Sequence, residues 1–306
     1  MATIDPVADP AAPLDDTLTA VRAPRRGRIG RFFEAWPPLV LLALLWLALA
    51  LVVAVFADKL APYGYASLDL RARLAPPYFF GGTSRHWLGT DELGRDVLSR
   101  LVYSVRMSLL IAFFATILGA TFGTVLGLLA ARWRGWVEST VLMMIDFQAS
   151  MPFLVIALAV LAFFGNSLVL FICLMGLHGW ERYARISRGL AIAANEQGYA
   201  DAVRQLGASS YRIYGGHILP NIASTLIVSM TLSFPETILL ESGLSFLGLG
   251  VQPPLTSLGN AVGYGREYLT SAPWIMLCPS VVIVLTTLSI SMVGDHLRDR
   301  LDPTLR

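Results

Sequence analysis

Long apolar runs dominate this 306-residue chain, and they restrict it to folds that are stable in a lipid bilayer. The first run, residues 39–57, is close to the ~20 residues with which a helix crosses ~30 Å of hydrocarbon. It is longer than the ~7–15 apolar residues of a signal peptide, so we expect a retained anchor. A soluble globular domain does not fit a chain with 55% hydrophobic residues, 14% charged residues and a mean hydropathy of +0.62.

Five more apolar runs follow, two of them unusual. Asp146 and Pro152 interrupt the third span, and the fourth span is short enough that its helix is expected to continue as far as Arg188. Since single-chain spans in lipid are helices or closed barrels, runs of this length predict an all-α, polytopic membrane protein with six transmembrane helices. The predicted spans are residues 39–57, 107–131, 137–164, 168–180, 222–243 and 273–294.

The second predicted span has glycine at every fourth position, at Gly119, Gly123 and Gly127. Small residues in this spacing allow another helix to approach closely, so we expect a packing ridge. Just before this span, Leu93, Val97 and the apolar residues that follow recur at helical spacing, which predicts a helix at the outer interface. The charged face of this helix could simply be solvated.

Basic residues predict the orientation. With both termini in the cytoplasm, fifteen arginines lie inside and eight basic residues lie outside, seven of them in one long connection. Residues 1–35 are expected to form a disordered cytoplasmic tail with a basic flank, for which anionic lipid is a simpler partner than nucleic acid. The two cysteines, Cys173 and Cys278, lie within apolar runs and suggest no disulfide framework.

Residues 195–221 form a polar island between two apolar segments. Tyr199, Ala202, Val203 and Leu206 recur at i, i+3, i+4 and i+7, which predicts a short amphipathic helix. Gly207 suits the left-handed position that ends such a helix, and Ser209 suits the cap of the next helix.

Residues 201–203, Gly207 and residues 217–220 resemble the cytoplasmic EAA signature of binding-protein-dependent ABC transporter permeases. In this chain Asp201 stands for Glu, Val203 for the second Ala, and His217 for Ile. Residues 89–100, 241–254 and 294–303 resemble segments of the dipeptide, oligopeptide and nickel branch, in the manner of its second permease subunit. The resemblance extends from about Trp36 to the C-terminus.

The resemblance implies a type I ABC importer transmembrane domain over residues 36–306, in a bacterial inner membrane. Within it, residues 58–105 would be a periplasmic connection and residues 187–220 a cytoplasmic coupling loop. The resemblance also implies that the helix from Leu93 shapes the outer mouth or the dock of the binding protein. The implied partners are a homologous second permease in a heterodimer, two cytoplasmic ATP-binding subunits and an external solute-binding protein. The implied ATPase-coupling residues are Tyr199, Ala200, Asp201, Ala202, Val203, Leu206, Gly207 and Ala208. Without the resemblance, the same helix could equally lie flat on the membrane or pack on its own bundle.

The chain itself is not expected to bind nucleotide or catalyse a reaction. A phosphate-binding P-loop needs Gly-Lys-Ser/Thr, whereas the single lysine, Lys59, is followed by Leu60. ATP and magnesium are therefore expected on partner subunits, and this chain is expected to hold no cofactor. The four histidines are scattered and form no metal-binding motif, and no catalytic triad stands out.

Ionisable residues at membrane depth usually face a water-filled path or a partner. Of Asp146, Glu236 and Glu241, we expect Asp146 and Glu241, with the Pro235 kink, to contribute to a translocation path. A structural bond from Asp146 to an arginine is the competing interpretation. The competing functions are a proton-coupled secondary transporter that uses these carboxylates and a non-transporting scaffold. Peptide, nickel chelate, opine and glutathione all remain open as substrates.

Overall fold

The protein was analysed as a computed structural model that describes residues 37–301, without the side chains of residues 199–202 and 301. The tail predicted over residues 1–35 lies outside these residues. Every regular segment within 37–301 is helical, as the apolar runs predict. The main helices are α1 (Pro38–Val55), α2 (Val97–Arg132), α3 (Trp136–Ser150), α4 (Phe153–Phe164), α5 (Leu168–His178), α6 (Trp180–Glu196), α7 (Gly198–Gln205), α8 (Leu219–Phe246), α9 (Leu258–Gly265) and α10 (Trp274–Leu301).

Within residues 37–301, the spans match the predicted segments, although the number of helices long enough to cross a bilayer is smaller than six. Four uninterrupted helices are long and apolar enough to cross a bilayer: α1, α2, the continuous segment Ser210–Phe246 that contains α8, and α10. Together α3 and α4 are long and apolar enough to be a fifth, broken span or a re-entrant loop, with a bend of 92° at Met151 and Pro152. The predicted fourth span corresponds to α5, which has 11 residues, and the helix resumes in α6 after Gly179. The expected continuation of helix as far as Arg188 is confirmed.

The helix predicted before the second span is present and joins that span, because α2 runs without a break for 36 residues. It begins at Asp96, whose side chain accepts a hydrogen bond from the Ser99 N–H at 2.8 Å. No glycine or proline lies between this cap and residue 107, so nothing interrupts the helical hydrogen bonds. At 1.5 Å per residue, α2 is about 54 Å long and therefore extends well beyond the hydrocarbon layer.

The predicted glycine ridge is the contact between α2 and the α5–α6 segment. A Cβ at Gly119 would lie 2.6 Å from the Gly176 carbonyl oxygen, and one at Gly123 would lie 2.1 Å from the Trp180 carbonyl oxygen. One at Gly127 would lie 2.4 Å from the Ala184 carbonyl oxygen. Only glycine allows the two backbones to approach this closely. The contact also places α6 beside the second half of the apolar stretch of α2.

The outer connection is folded onto the bundle. The Asp91 carboxylate accepts hydrogen bonds from Arg95 at 2.6 Å and from Arg100 at 2.9 Å, which joins the connection to the first turn of α2. The Trp274 indole N–H donates to the Thr90 carbonyl oxygen at 3.1 Å, which joins it to the start of α10. These bonds fix the connection at the end of the bundle where α10 begins.

Candidate functional site

The polar island lies at the end of the bundle where α2 finishes. We call this the basic end, because Arg132, Arg134, Arg204 and Arg212 lie there. Ala131 at the end of α2, Ala194 at the end of α6 and Ile213 before α8 belong to one buried apolar cluster. The cluster shows that the chain between α6 and α8 packs against the end of α2.

The predicted break after the amphipathic helix is a Schellman turn. Gly207 has a φ of +81°, the left-handed conformation expected at this position. The Gly207 N–H donates to the Arg204 carbonyl at 3.0 Å, and the Ala208 N–H donates to the Val203 carbonyl at 3.3 Å. Val203 and Ala208 both pack against the apolar cluster, which is the side-chain contact that accompanies such a turn. Ser209 begins the next helix as predicted, although its side chain makes no capping hydrogen bond.

The apolar residues of the polar island divide between two surfaces. Val203 packs inward on the bundle, whereas Leu206 is 87% exposed and Tyr211 is 93% exposed. Val203 and Leu206 therefore do not lie on one apolar face as predicted. The reason is that Leu206 follows Gln205, the last residue of α7. We call Leu206 and Tyr211, on either side of Gly207, the outward pair. Of the remaining predicted coupling residues, the side chains of Tyr199, Ala200, Asp201 and Ala202 lie outside the described set.

The segment behind the outward pair is anchored to three helices. The Tyr214 hydroxyl accepts a hydrogen bond from the Asn195 amide of α6 at 2.8 Å and donates to the Ala131 carbonyl of α2 at 3.3 Å. Tyr214 also opens a π-helical turn, Tyr214–Ile218, that continues directly into α8. The segment that follows the outward pair is therefore bonded to α2 and α6 and continuous with α8.

A second polar surface lies within the predicted membrane region. The Arg182 guanidinium of α6 donates to the Glu236 carboxylate of α8 at 2.8 and 3.3 Å. One turn along α6, Arg185 donates to the Asp146 carboxylate of α3 at 3.4 Å. The arginine partner of Asp146 agrees with the structural interpretation of that residue. All four side chains are about half exposed or more.

The depth of these two ion pairs in the membrane follows from their position along the glycine ridge of α2. A Cβ at Gly123 would lie 2.8 Å from the Tyr183 Cβ, so Arg182 is level with Gly123. Gly123 is about one helical turn, ~6 Å, from Gly119 at the middle of the apolar stretch 107–131. Half-exposed charges at this depth are costly against lipid and require water or a partner chain. We call the face formed by Arg182, Glu236, Arg185 and Asp146 the polar face.

The other two predicted path residues are buried and contribute no exposed side chain to the polar face. Glu241 is fully buried, and its carboxylate accepts hydrogen bonds from Ser245 at 2.7 Å and from Ser108 at 3.1 Å. The Ser108 hydroxyl in turn accepts from the Leu258 N–H at 3.0 Å, so this network joins α2, α8 and α9. Pro235 is buried inside α8 next to Glu236. In this conformation Glu241 has no surface with which to line a path.

Sequence reasoning missed Arg182 and Arg185 as members of the site, and it named Glu236 as a candidate without selecting it for the path. A signal was present, because α6 carries arginine at positions 182, 185 and 188 directly after a short apolar run. The third arginine, Arg188, pairs with Glu138 of α3, with one hydrogen bond of 2.9 Å from its Nε. Three arginines that each have a carboxylate partner on another helix mark the side of α6 that faces α3 and α8.

Residues 123–306 match the family described as the inner membrane component of binding-protein-dependent transport systems. The chain belongs to this family. The permease is 34% identical over 268 residues to the dipeptide transport system permease protein DppC of Alkalihalophilus pseudofirmus, covering 88% of this chain and 86% of that protein. It is 36% identical over 262 residues to the oligopeptide transport system permease protein OppC of Mycobacterium bovis, covering 85% and 88%.

A third relative of the permease is the glutathione transport system permease protein GsiD of Pectobacterium atrosepticum. The two are 33% identical over 287 residues, which cover 94% of this chain and 93% of the relative. Among solved structures, the inward-facing MetNI methionine ABC transporter superimposes with a TM-score of 0.56 at 20% identity. The match covers 67% of the permease and 97% of that chain, and it supports the same membrane fold.

Proposed function

We propose that this permease is one of two homologous transmembrane subunits of an ATP-driven peptide importer. The named substrates of its relatives are dipeptides, oligopeptides and glutathione, which is itself a short peptide. The three relatives share a peptide as the named substrate, and none of them is named for nickel or an opine. In this proposal an external solute-binding protein delivers the peptide, and the polar face lines half of the path.

The proposal assigns energy coupling to the basic end, which would lie in the cytoplasm together with both termini. ATP-dependent closure of two partner ATPases would push on the outward pair. Because the Schellman turn and the Tyr214 hydrogen bonds connect this pair to α2, α6 and α8, the push would change the side that the path faces. Asp201, Ala202, Gly207 and the other predicted coupling residues would form or support the docking surface.

The observation that carries the coupling proposal is the exposure of Leu206 and Tyr211 on an anchored turn. A fully exposed apolar pair on a rigid support is typical of a surface that a partner covers. We therefore expect Leu206→Asp to reduce co-purification of the ATPase subunits at least tenfold, while membrane insertion remains normal. The matched control is Leu70→Asp, since Leu70 is 64% exposed in the outer connection. Equal ATPase recovery from both variants would contradict the proposal.

The substrate is tested by measuring peptide uptake in cells that lack the native transporter genes. Cells that express the complete transporter are expected to accumulate labelled dialanine, and unlabelled glutathione tests whether the site accepts that peptide as well. Uptake should stop when the P-loop lysine of the partner ATPase is replaced. Uptake that survives this replacement but collapses with a protonophore would instead establish the proton-coupled transporter.

A further inference from the structure

Of the two ion pairs on the polar face, the one between Arg182 and Glu236 lies nearer the middle of the apolar stretch. Arg182 is level with Gly123, whereas the following turn of α6 is level with Gly127. The Arg182 and Glu236 side chains are 48% and 49% exposed. Lipid does not satisfy charges at this depth, so the exposed part of the pair faces water or another molecule.

The exposed pair keeps hydrogen-bonding capacity on both of its members. A guanidinium has five N–H donors, and Arg182 uses three of them within the described residues. Two donate to the Glu236 carboxylate at 2.8 and 3.3 Å, and one donates to the Ser233 hydroxyl at 3.2 Å. A carboxylate has about four acceptor positions, of which Glu236 uses two for the same guanidinium. The pair therefore presents further donors beside further acceptors.

This arrangement selects a ligand group that donates and accepts side by side. An isolated anion is attracted by Arg182 and repelled by Glu236, and an isolated cation is subject to the reverse. Either ion would bind strongly only by breaking the pair. A residue of an extended peptide has no net charge on its backbone, and its N–H and C=O point to the same side, as they do in an antiparallel ladder. Such a residue can bond to both side chains while the ion pair stays intact.

We infer that Arg182 and Glu236 bind the backbone of one extended residue of a peptide in the path. The backbone N–H of that residue donates to the Glu236 carboxylate, and its C=O accepts from the Arg182 guanidinium. Both bonds involve a charged group, and such bonds are roughly twice as strong as bonds between neutral groups. The inference rests on the proposed function, because it assumes that a peptide enters the path.

Recognition of this kind is independent of the side chains of the peptide. Every residue except proline, which has no backbone N–H, offers the same pair of groups. The second ion pair continues the surface, since Arg185 lies three residues, about 4.5 Å, further along α6. Arg185 donates to Asp146 once, at 3.4 Å, and both side chains are half exposed or more. A short peptide would contact one pair, and a longer peptide would contact both.

Saturation-transfer NMR with the purified transporter in nanodiscs tests the site without nucleotide, binding protein or transport. The probe is N-acetylalanine methylamide, which carries no charge and contains one residue with its N–H and C=O. We expect saturable binding with a Kd on the order of a millimolar. The analogue in which an ester oxygen replaces the alanine N–H should bind about tenfold more weakly, because it loses the bond to the carboxylate. Equal binding of both probes, or no binding of the amide, would overturn the inference.

Substitutions locate the bound probe. Glu236→Gln keeps an oxygen that accepts from Arg182 but removes the charge, so it should weaken binding of the amide probe about tenfold. The matched control is Glu138→Gln, since Glu138 also bonds to an arginine, Arg188, away from the polar face. This variant should keep the native Kd. If Glu236→Gln fails to assemble, the comparison of the two probes on the native protein decides. Unchanged binding in an assembled Glu236→Gln variant would place the probe elsewhere and overturn the inference.

Uptake of dialanine separates this inference from the proposed function. If cells that express the transporter accumulate dialanine while the amide probe does not bind, the inference fails and the proposed function stands. If no peptide is accumulated, the proposed function itself fails.

Discussion

At the scale of the residue, Gly207 is the position where backbone conformation bears most directly on coupling. Its φ of +81° costs an L-amino acid about 1–2 kcal/mol, although a Cβ there would meet no neighbouring atom. We expect Gly207→Ala to loosen the Schellman turn and to speed amide hydrogen exchange over residues 203–213. Gly198→Ala is the control, because Gly198 lies in α7 without a positive φ and with open space around it. Slow exchange in both variants would show that the turn does not depend on glycine.

At the scale of the element, the contact between α2 and α6 depends on the glycine ridge. A methyl group at Gly123 would overlap the Trp180 carbonyl oxygen, so the two helices must separate. We expect Gly123→Ala to lower the free energy of unfolding by about 1–3 kcal/mol, measured as a lower Tm of the purified complex. Gly189→Ala, at an open position on α6, should leave the Tm unchanged or raise it, because alanine favours a helix more than glycine does. Equal Tm values for the two variants would argue against close backbone packing.

The ion pair between α6 and α8 is a second contact between elements. Arg182→Glu would place two carboxylates side by side near the middle of the membrane, next to Glu236. We expect this variant to lose at least tenfold in uptake, and the charge swap Arg182→Glu with Glu236→Arg to recover most of the loss. The double-mutant cycle isolates the pair from the effects of each substitution alone. A swap that is no better than the single variant would show that the two charges act separately.

The sequence predicts where the helices lie along the chain better than it predicts what each helix contacts. Hydropathy located the apolar segments, and the special conformation of Gly207 locates the helix end, because both depend on local chemistry. The outward direction of Leu206, the inward packing of Val203 and the full burial of Glu241 could not be derived in this way. Each depends on which helix packs against that residue. Sequence periodicity predicts which residues share a helix face, but not what that face contacts. The polar face was likewise hidden, since its charges come from three segments far apart in sequence.

At the scale of the whole molecule, the long connection and the basic end lie at opposite ends of the bundle. Asp91 and Thr90 hold the connection to the starts of α2 and α10, whereas Tyr214 holds the coupling segment to the end of α2. A single 36-residue helix, α2, therefore spans the molecule between the two. In the proposed function, a solute-binding protein acts at one end of this helix and the ATPases act at the other.

Photo-crosslinking from position 206 in the assembled transporter tests this account most directly. A photoreactive amino acid that replaces Leu206 is expected to form a covalent adduct with the ATPase subunit, and the yield should change when ATP is added. The same amino acid in place of Leu70, in the outer connection, should give no ATPase adduct. Adducts from position 206 with lipid alone, or equal ATPase adducts from both positions, would contradict the claim that the basic end receives the force of ATP hydrolysis.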